Sequence, residues 1–331
     1  MLIAQSTPFG ESIAQAVQDA YALGEVTRCV LFRRGFNQVY GLTFADGRRA
    51  VARLHAERPR GAPNTEYEAA LLAHLQRAGV SVAGCLRAAD GAVAVPMQLP
   101  EGTRLLMLFE HLDGEPPEDK LVDVEATGRD LARMHAAGES YDGPASRYVL
   151  ELPHLLERSL RTLWGAPTMT DAIRTDFSAI AQRLADRIEA ASGLTRVACH
   201  GDCHGSNNFM TDAPGGGRVA SFFDFEEAGP GWLAYELSVY LWAMLPRKPA
   251  GKLDEDALER WRRYLAGYRS VRAIAEADFD AITRFVSVRQ FWLMGEYAGR
   301  ANVWGTESIP TLWLRKQVDL LRAWDELTTP A

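Results

Sequence analysis

Apolar positions along the chain change period several times. Residues 11–23 set Ile13, Ala16, Val17, Ala20 and Leu23 on one face at helical spacing, which predicts a short amphipathic helix. From 26 to 55 the pattern shortens to β-prone runs at 29–32, 40–44 and 50–54, separated by Gly35 and by the Asp46-Gly47 turn signal. Residues 64–78 return to helical spacing, with Leu71, Leu72 and Leu75 inward, and 93–97 and 105–109 read as two further strands. The stretch Glu110-His111-Leu112-Asp113-Gly114, followed by Pro116-Pro117, ends this region and is the expected hinge. Beyond it the spacing is helical over 122–137, 150–164, 170–192, 232–245, 254–273, 278–301 and 309–327. One β-like segment, 197–225, interrupts the helices, with Pro214-Gly215-Gly216-Gly217 at its centre.

These patterns predict an α+β chain of two lobes. Residues 1–110 form an N-lobe, an antiparallel sheet with one main helix, and residues 111–331 form a mostly helical C-lobe. A chain of 331 residues is long enough for two lobes that share a cleft.

Composition narrows the function classes. Hydrophobic residues make up 47% and charged residues 24%, as in ordinary globular proteins. The formal charge of -7 argues against a sequence-independent nucleic-acid binder, which needs a basic face. The N-terminus has neither the basic nor the apolar region of a signal peptide. The longest apolar stretch, 232–245, contains Glu236 and is too short to span a bilayer. Cys29, Cys85, Cys199 and Cys203 are too sparse for a disulfide scaffold, so the expectation is a cytoplasmic protein with reduced thiols and no membrane partner. No lysine precedes Lys120; the basic residues of the N-lobe are all arginines.

The chemistry concentrates in His200-Gly201-Asp202-Cys203-His204-Gly205-Ser206-Asn207 and, further on, Phe222-Phe223-Asp224-Phe225-Glu226. Residues 208–211 and 218–222 flank a glycine-rich turn and are expected to pair as an antiparallel hairpin. The start of one strand then lies beside the end of the other, which brings Asn207 to Asp224. A carboxylate and an amide oxygen together suit Mg²⁺, a hard cation that takes few protein oxygens along with phosphates and water. Asp202, just ahead of the hairpin, is placed to orient or deprotonate a hydroxyl that attacks a γ-phosphate.

This HGDxxxxN loop, followed by an apolar strand ending in Asp, resembles the catalytic loop and metal site of the aminoglycoside phosphotransferase/choline kinase superfamily, which shares the bilobal protein kinase fold. Gly128-Arg129-Asp130-Leu131-Ala132-Arg133-Met134-His135 resembles the helix ahead of that loop. Gly229-Pro230 and Tyr235-Glu236-Leu237 resemble the run behind it, with Glu236 where Asp is usual. The Asp-Cys-His form of the loop and the arginine-rich C-terminal helices are most similar to the branch of bacterial stress-response kinases and type II homoserine kinases.

The resemblance implies ATP and Mg²⁺ as cofactors, with Asp202 catalytic and Asn207 and Asp224 holding the metal. It implies that Arg34-Gly35-Phe36-Asn37 is the turn over the phosphates, with Asn37 in the nucleotide site. Arg53 stands on the third strand where such enzymes place a lysine, and Glu68 is its partner. The backbone of Glu110 and Leu112 would meet the adenine edge.

Taken singly, Asp202, Asn207 and Asp224 read as turn formers. His200 reads as a residue that holds the loop, and His135 as a packing histidine. Zinc on Cys199 and Cys203 lacks the usual ligand spacing. Trp232, Tyr235, Tyr240, Trp242, Trp292 and Tyr297 read as core or as a box for a cationic ligand. The segment after Asp224 leaves no room for the activation segment of eukaryotic-type protein kinases, which favours a small-molecule hydroxyl as acceptor. A Ser/Thr protein substrate is the second reading and a nucleotide-binding pseudokinase the third. The sequence specifies no oligomeric state.

Overall fold

The computed structural model describes residues 1–213, 215–248 and 251–331. Helix α1 (Gly10–Ala20) precedes strands β1 (Val26–Arg34), β2 (Gln38–Phe44) and β3 (Arg49–Leu54). Helix α2 (Thr65–Arg77) follows, then β4 (Cys85–Leu86), β5 (Val95–Leu99) and β6 (Gly102–Glu110). These strands form one antiparallel sheet in the order β1-β2-β3-β6-β4, with β5 also paired to β6.

Alternation along the strands gives the sheet two different faces. Tyr40, Leu42, Ala50, Ala52, Leu54, Leu106 and Leu108 pack with Ile13 and Val17 of α1 in one core. The intervening residues Val39, Val51, Arg53 and Phe109 line a cavity on the other face. Helix α2 also packs on that side, where Leu71, Leu72 and Leu75 join the larger core built by the C-terminal helices. Gly41 lets the ring of Phe32 lie against β2, since a Cβ there would stand 1.8 Å from it.

The C-terminal part begins with α3 (Leu121–Gly138), α4 (Arg158–Trp164) and α5 (Asp171–Glu189). Strands β7 (Arg196–Cys199), β8 (Asn208–Asp212), β9 (Arg218–Phe222) and β10 (Gly229–Trp232) come next. Helices α6 (Leu233–Met244), α7 (Glu255–Arg269), α8 (Glu276–Ala298), α9 (Ala301–Trp304) and α10 (Thr311–Trp324) complete the chain. Among the described residues no helix is long and apolar enough to cross a membrane.

Strands β8 and β9 pair antiparallel with Asn208 opposite Phe222. Pro214, at the expected centre of their turn, lies outside the described residues. Three features depart from the sequence expectation. Gly229-Pro230-Gly231-Trp232 is a strand paired with β7, in a ladder of only two strands where the missing Pro230 N–H is tolerated. The Pro230 carbonyl instead accepts from Leu150 N at 2.8 Å. Strand β4 is two residues long and too short to show a pattern. The helix expected from 150 starts at Pro153 with a wide turn over Pro153–Glu157 that runs into α4.

Helices α3 and α7 cross in close contact because each brings a glycine to the crossing. A Cβ on Gly128 would stand 2.1 Å from the Tyr264 carbonyl oxygen, and one on Gly267 would stand 2.0 Å from that of Glu125. Gly→Ala in an open helix stabilises by about 0.5–1 kcal/mol. Here the sign reverses. Gly267→Ala is expected to cost about 1–3 kcal/mol and to lower Tm, and thermal melting decides it: a raised Tm would mean that the two helices are not packed this tightly.

Candidate active site

The hairpin fixes the first two residues of the site. Phe223 N donates to the Asn207 carbonyl at 3.0 Å, so the chain just before β8 lies against the chain just after β9. Asp224 follows with φ 66 and ψ 56, the single non-glycine among the described residues in the left-handed region. Asp tolerates that conformation better than most residues. Asn207 and Asp224 both line a cavity of about 320 Å³. The Asn207 amide nitrogen donates to the Asp202 carbonyl at 3.0 Å and to its Oδ2 at 3.3 Å. Asn207 and Asp224 therefore meet in this cavity, and Asp202, which does not itself line it, is joined to it through Asn207.

The loop before them is held from behind. Buried His200 donates from Nε2 to the Phe223 carbonyl at 2.9 Å, and its Nδ1 accepts from Asp202 N at 3.3 Å. That pair of bonds requires the neutral ring, and burial lowers its pKa to about 4. His200 thus clamps the Asp202 loop to the strand that carries Asp224. Glu236 of α6, fully buried, accepts from His200 N at 3.2 Å and Gly201 N at 2.9 Å. Burial raises its pKa from the ordinary 4.5 to about 7, with the two N–H donors opposing the shift. Gly201 has φ 83, and a Cβ there would stand 2.3 Å from the Glu227 carbonyl oxygen. His135 donates to or accepts from Tyr268 Oη at 2.8 Å in the core, away from the cavity.

The sheet supplies the opposite wall. Arg53 points from β3 into the cavity, where its Nη2 bonds Glu68 of α2 and its Nη1 donates to Asp224 Oδ1 at 3.0 Å. The guanidinium also lies 4.7 Å from the centre of the Phe109 ring. Glu68 does not line the cavity and reaches it only through Arg53. Glu110, His111 and Leu112 also line it, and the Leu112 amide donates to no partner among the described residues. Asn37 stands elsewhere: its amide nitrogen donates to Glu226 and its Oδ1 accepts from Ala56 N at 3.1 Å, so it ties the turn after β1 to the segment after Asp224.

Two features of the site lie outside the sequence expectation. Arg58 and Arg60, between β3 and α2, are buried with Glu226, Glu227 and, on α8, Glu296. Arg289 of α8 bonds Asp202 Oδ1 through Nη2. A charge on an apolar helix face, between Phe285 and Trp292 at spacings of four and three, was the available hint for Arg289.

A divalent cation fits at Asn207 and Asp224. Arg53 occupies Asp224 Oδ1, and the Asn207 nitrogen is spent on Asp202, which leaves one oxygen on each side chain without a partner among the described residues. Among the described residues no group of three His, Cys, Asp or Glu side chains is arranged to hold a metal by itself. Such a cation therefore needs further oxygens, as phosphates and water provide.

Residues 29–274 match the model of the phosphotransferase enzyme family (APH). An uncharacterised protein of Deinococcus radiodurans is 33% identical over 95% of this chain and 90% of its own. A homoserine kinase of Cupriavidus metallidurans is 29% identical over 69% of this chain and 68% of its own. Among solved structures, an amicoumacin kinase in complex with AMP-PNP and Ca²⁺ superposes with a TM-score of 0.74 at 18% identity, over 93% of this chain and 92% of that one.

The Glu236 contacts predict a pH effect. Its folded pKa of about 7 lies above the ordinary 4.5, so its share of stability is complete below about 4.5 and is lost as pH rises through 7. Glu236→Gln sets an amide nitrogen against one of the two donors and costs about 1–3 kcal/mol. The gap between parent and variant is expected to narrow from acid to neutral pH in chemical denaturation; a constant gap would remove Glu236 as the titrating group.

Proposed function

The chain belongs to the phosphotransferase enzyme family and is a kinase, and we propose that it transfers the γ-phosphoryl group of ATP to a hydroxyl of a small molecule. The observation that carries this reading is the meeting of Asn207 and Asp224 in one cavity, which Arg53 enters from the sheet, with Asp202 held beside Asn207. Residues 1–110 serve as the nucleotide lobe and 111–331 as the catalytic and acceptor lobe. The adenine lies at Glu110 and Leu112, where the open Leu112 amide supplies a donor, and the phosphates lie toward Arg53. All four cysteines are unpaired, which suits a reducing cytoplasm.

Asp202 accepts the acceptor's hydroxyl proton and aims the oxygen at phosphorus. The acceptor oxygen–phosphorus bond forms as the bond to the bridging oxygen breaks, ADP leaves with that electron pair, and the proton passes from Asp202 to solvent. Asn207 and Asp224 would hold Mg²⁺, which when bound would neutralise charge on the phosphates. Arg53 is held by Glu68 in reach of the same charge. Asn37 acts indirectly, by fixing the turn over the phosphates to Glu226. Only residues 225–232 separate Asp224 from α6, too few for a protein-docking activation segment, which favours a small acceptor.

Asp202→Asn is expected to keep nucleotide affinity within a few-fold and to lower kcat by about 10²–10⁴-fold. Retained turnover in an ATP-consumption assay would sink the assignment. Arg53→Lys keeps the charge but not the fork that meets Glu68 and Asp224 together, so partial activity is expected. Arg53→Ala also leaves Glu68 buried and unpaired, a cost of about 3–5 kcal/mol, so its melting curve is read beside its nucleotide affinity. If Arg53→Lys matches the parent in both affinity and turnover, the fork plays no part in phosphate placement.

A further inference from the structure

A second cavity, of about 540 Å³, shares no lining residue with the one that holds Asn207 and Asp224. Four segments contribute to its wall: residues 4–5 ahead of α1, 55–63 between β3 and α2, 101–105 at the β5–β6 turn, and 299–303 at the α8–α9 junction. Gly299 lies ten residues beyond Arg289, the α8 residue that bonds Asp202. That is about 15 Å of helix, which sets this cavity away from Asp202.

Three arginines line it, and one of them is unmatched. Arg58 is met by Glu226, Glu227 and Glu296. Arg104 is met by Glu101 at 3.2 Å and by the carbonyl oxygens of Ser6, Leu54 and His55. Arg300 is 3% exposed and forms no ion pair among the described residues. Its Nη1 donates to the Glu57 carbonyl at 3.0 Å, its Nη2 to Gln5 Oε1, and its Nε has no partner. The exposed Glu57 carboxylate pairs with no basic group among the described residues. Burial, with Arg58 and Arg104 nearby, lowers the Arg300 pKa to about 10, so it stays cationic at neutral pH. Gln5 Nε2 and Glu101 Oε2 are also buried without partners. These groups are neighbours: Gln5 bonds Arg300, and the next residue, Ser6, donates from its N to Glu101 Oε1 at 3.0 Å. A guanidinium held out of water without a counter-charge, beside an unused donor and an unused acceptor, is costly. An oxyanion that also carries a hydroxyl removes that cost.

We propose that this cavity is a second binding site, for a small hydroxylated organic oxyanion seated on Arg300, and that its occupancy strengthens nucleotide binding. The site stands on Arg300 and its cavity alone; the effect on the nucleotide rests on the kinase reading. Two contacts join the cavities. His55 lines this one, and its Nε2 lies 3.4 Å from Nη2 of Arg53, which lines the other. Arg58 lines this one and bonds Glu226 and Glu227, just after Asp224. Each cavity is also closed by both lobes, here by the β5–β6 turn and the α8–α9 junction, there by β3 and Asp224. A ligand in either one holds the lobes together and, by linkage, favours a ligand in the other. Phosphate monoesters and carboxylates both suit a guanidinium fork, and the experiment separates them.

The test is calorimetric titration of the full chain, with Mg-ADP filling the nucleotide cavity. The probes are glycerol 3-phosphate and glucose 6-phosphate, the carboxylates citrate and gluconate, neutral glycerol and glucose, and inorganic phosphate. The organic anions of one class are expected to bind, and the neutral compounds not. No binding by any anion, or equal binding by glucose and its phosphate, overturns the site. Binding of organic anions no tighter than inorganic phosphate means an adventitious ion only and overturns it too. Arg300→Met should weaken binding roughly tenfold or more, with part restored in Arg300→Lys. Asn302 lines the cavity and is exposed, so Asn302→Glu adds a negative charge there without disturbing the core. It should weaken binding likewise with Tm unchanged, while Asn302→Gln binds as the parent does. Asp202→Asn should leave anion binding unchanged. Loss in Asp202→Asn, or unchanged binding in both Arg300→Met and Asn302→Glu, places the anion elsewhere and overturns the proposal. The bound anion is expected to lower the Kd for Mg-ADP about fivefold or more. If the anion binds and that Kd does not move, the link to the nucleotide falls and the site stands. If Mg-ADP does not bind, the kinase reading falls, and titration of the anions alone still decides the site.

Discussion

A guanidinium buried in a protein is costly unless its charge is compensated, and carboxylates that compensate Arg53 and Arg58 join the sheet to the helical part of the chain. Arg53 on β3 bonds Glu68 on α2 and Asp224 beyond β9. A few residues on, Arg58 bonds Glu226, Glu227 and Glu296, the last of these on α8. Removing a single partner from such a set leaves an uncompensated buried charge and costs several kcal/mol. The sheet, α2, the segment after Asp224 and α8 therefore have one mutual arrangement in which all these charges are paired. It is also the arrangement that puts Arg53 and Asp224 into one cavity. The acids clustered at 224–227 are explained by this demand: Asp224 faces the cavity, and Glu226 and Glu227 neutralise the arginines behind it.

Around Asp202 the same economy works through backbone groups. His200 spans from Asp202 N to the Phe223 carbonyl, Glu236 takes the N–H groups of His200 and Gly201, and Asp130 of α3 accepts from Ala220 N at 2.9 Å on β9. Each bond satisfies a buried polar group that would otherwise cost free energy. Together they tie the loop to α6 and to the strand that carries Asp224. A carboxylate that must meet a hydroxyl in a fixed geometry gains from such fixing in advance, because no reorganisation is then needed during reaction.

How much was legible follows from range. The helices and most strands announce themselves through local periodicity. The β8–β9 hairpin follows from its glycine turn, and with it the meeting of Asn207 and Asp224. The loop-holding character of His200 was legible from its neighbours. What the sequence hid depends on distant partners. Arg58 and Glu296 are 238 residues apart, and Arg289 meets Asp202 across 87. No local spacing encodes such pairs. Strand β10 was hidden differently, since Gly and Pro argue against a strand until the two-stranded ladder with β7 is known. Asn37 shows the limit of reasoning by position: its place in the turn is as expected, but its side chain serves Glu226 and Ala56.

The choice of arginine over lysine has one physical account. The chain has 36 basic residues, of which four are lysines. A lysine ammonium placed where Arg53, Arg58 or Arg289 lie would be desolvated and pushed toward its neutral form, and it has a single point of charge with which to meet two or three carboxylates. Guanidinium keeps its charge when buried, offers five N–H donors in a plane, and stacks on aromatic rings. Arg53 uses these properties against Glu68, Asp224 and Phe109, and Arg289 uses them against Asp202, Trp242 and Trp292. Arginine on β3 is thus continuous with how the chain builds every buried cationic site around its cleft, and it follows from the same desolvation cost that shapes the rest of the fold.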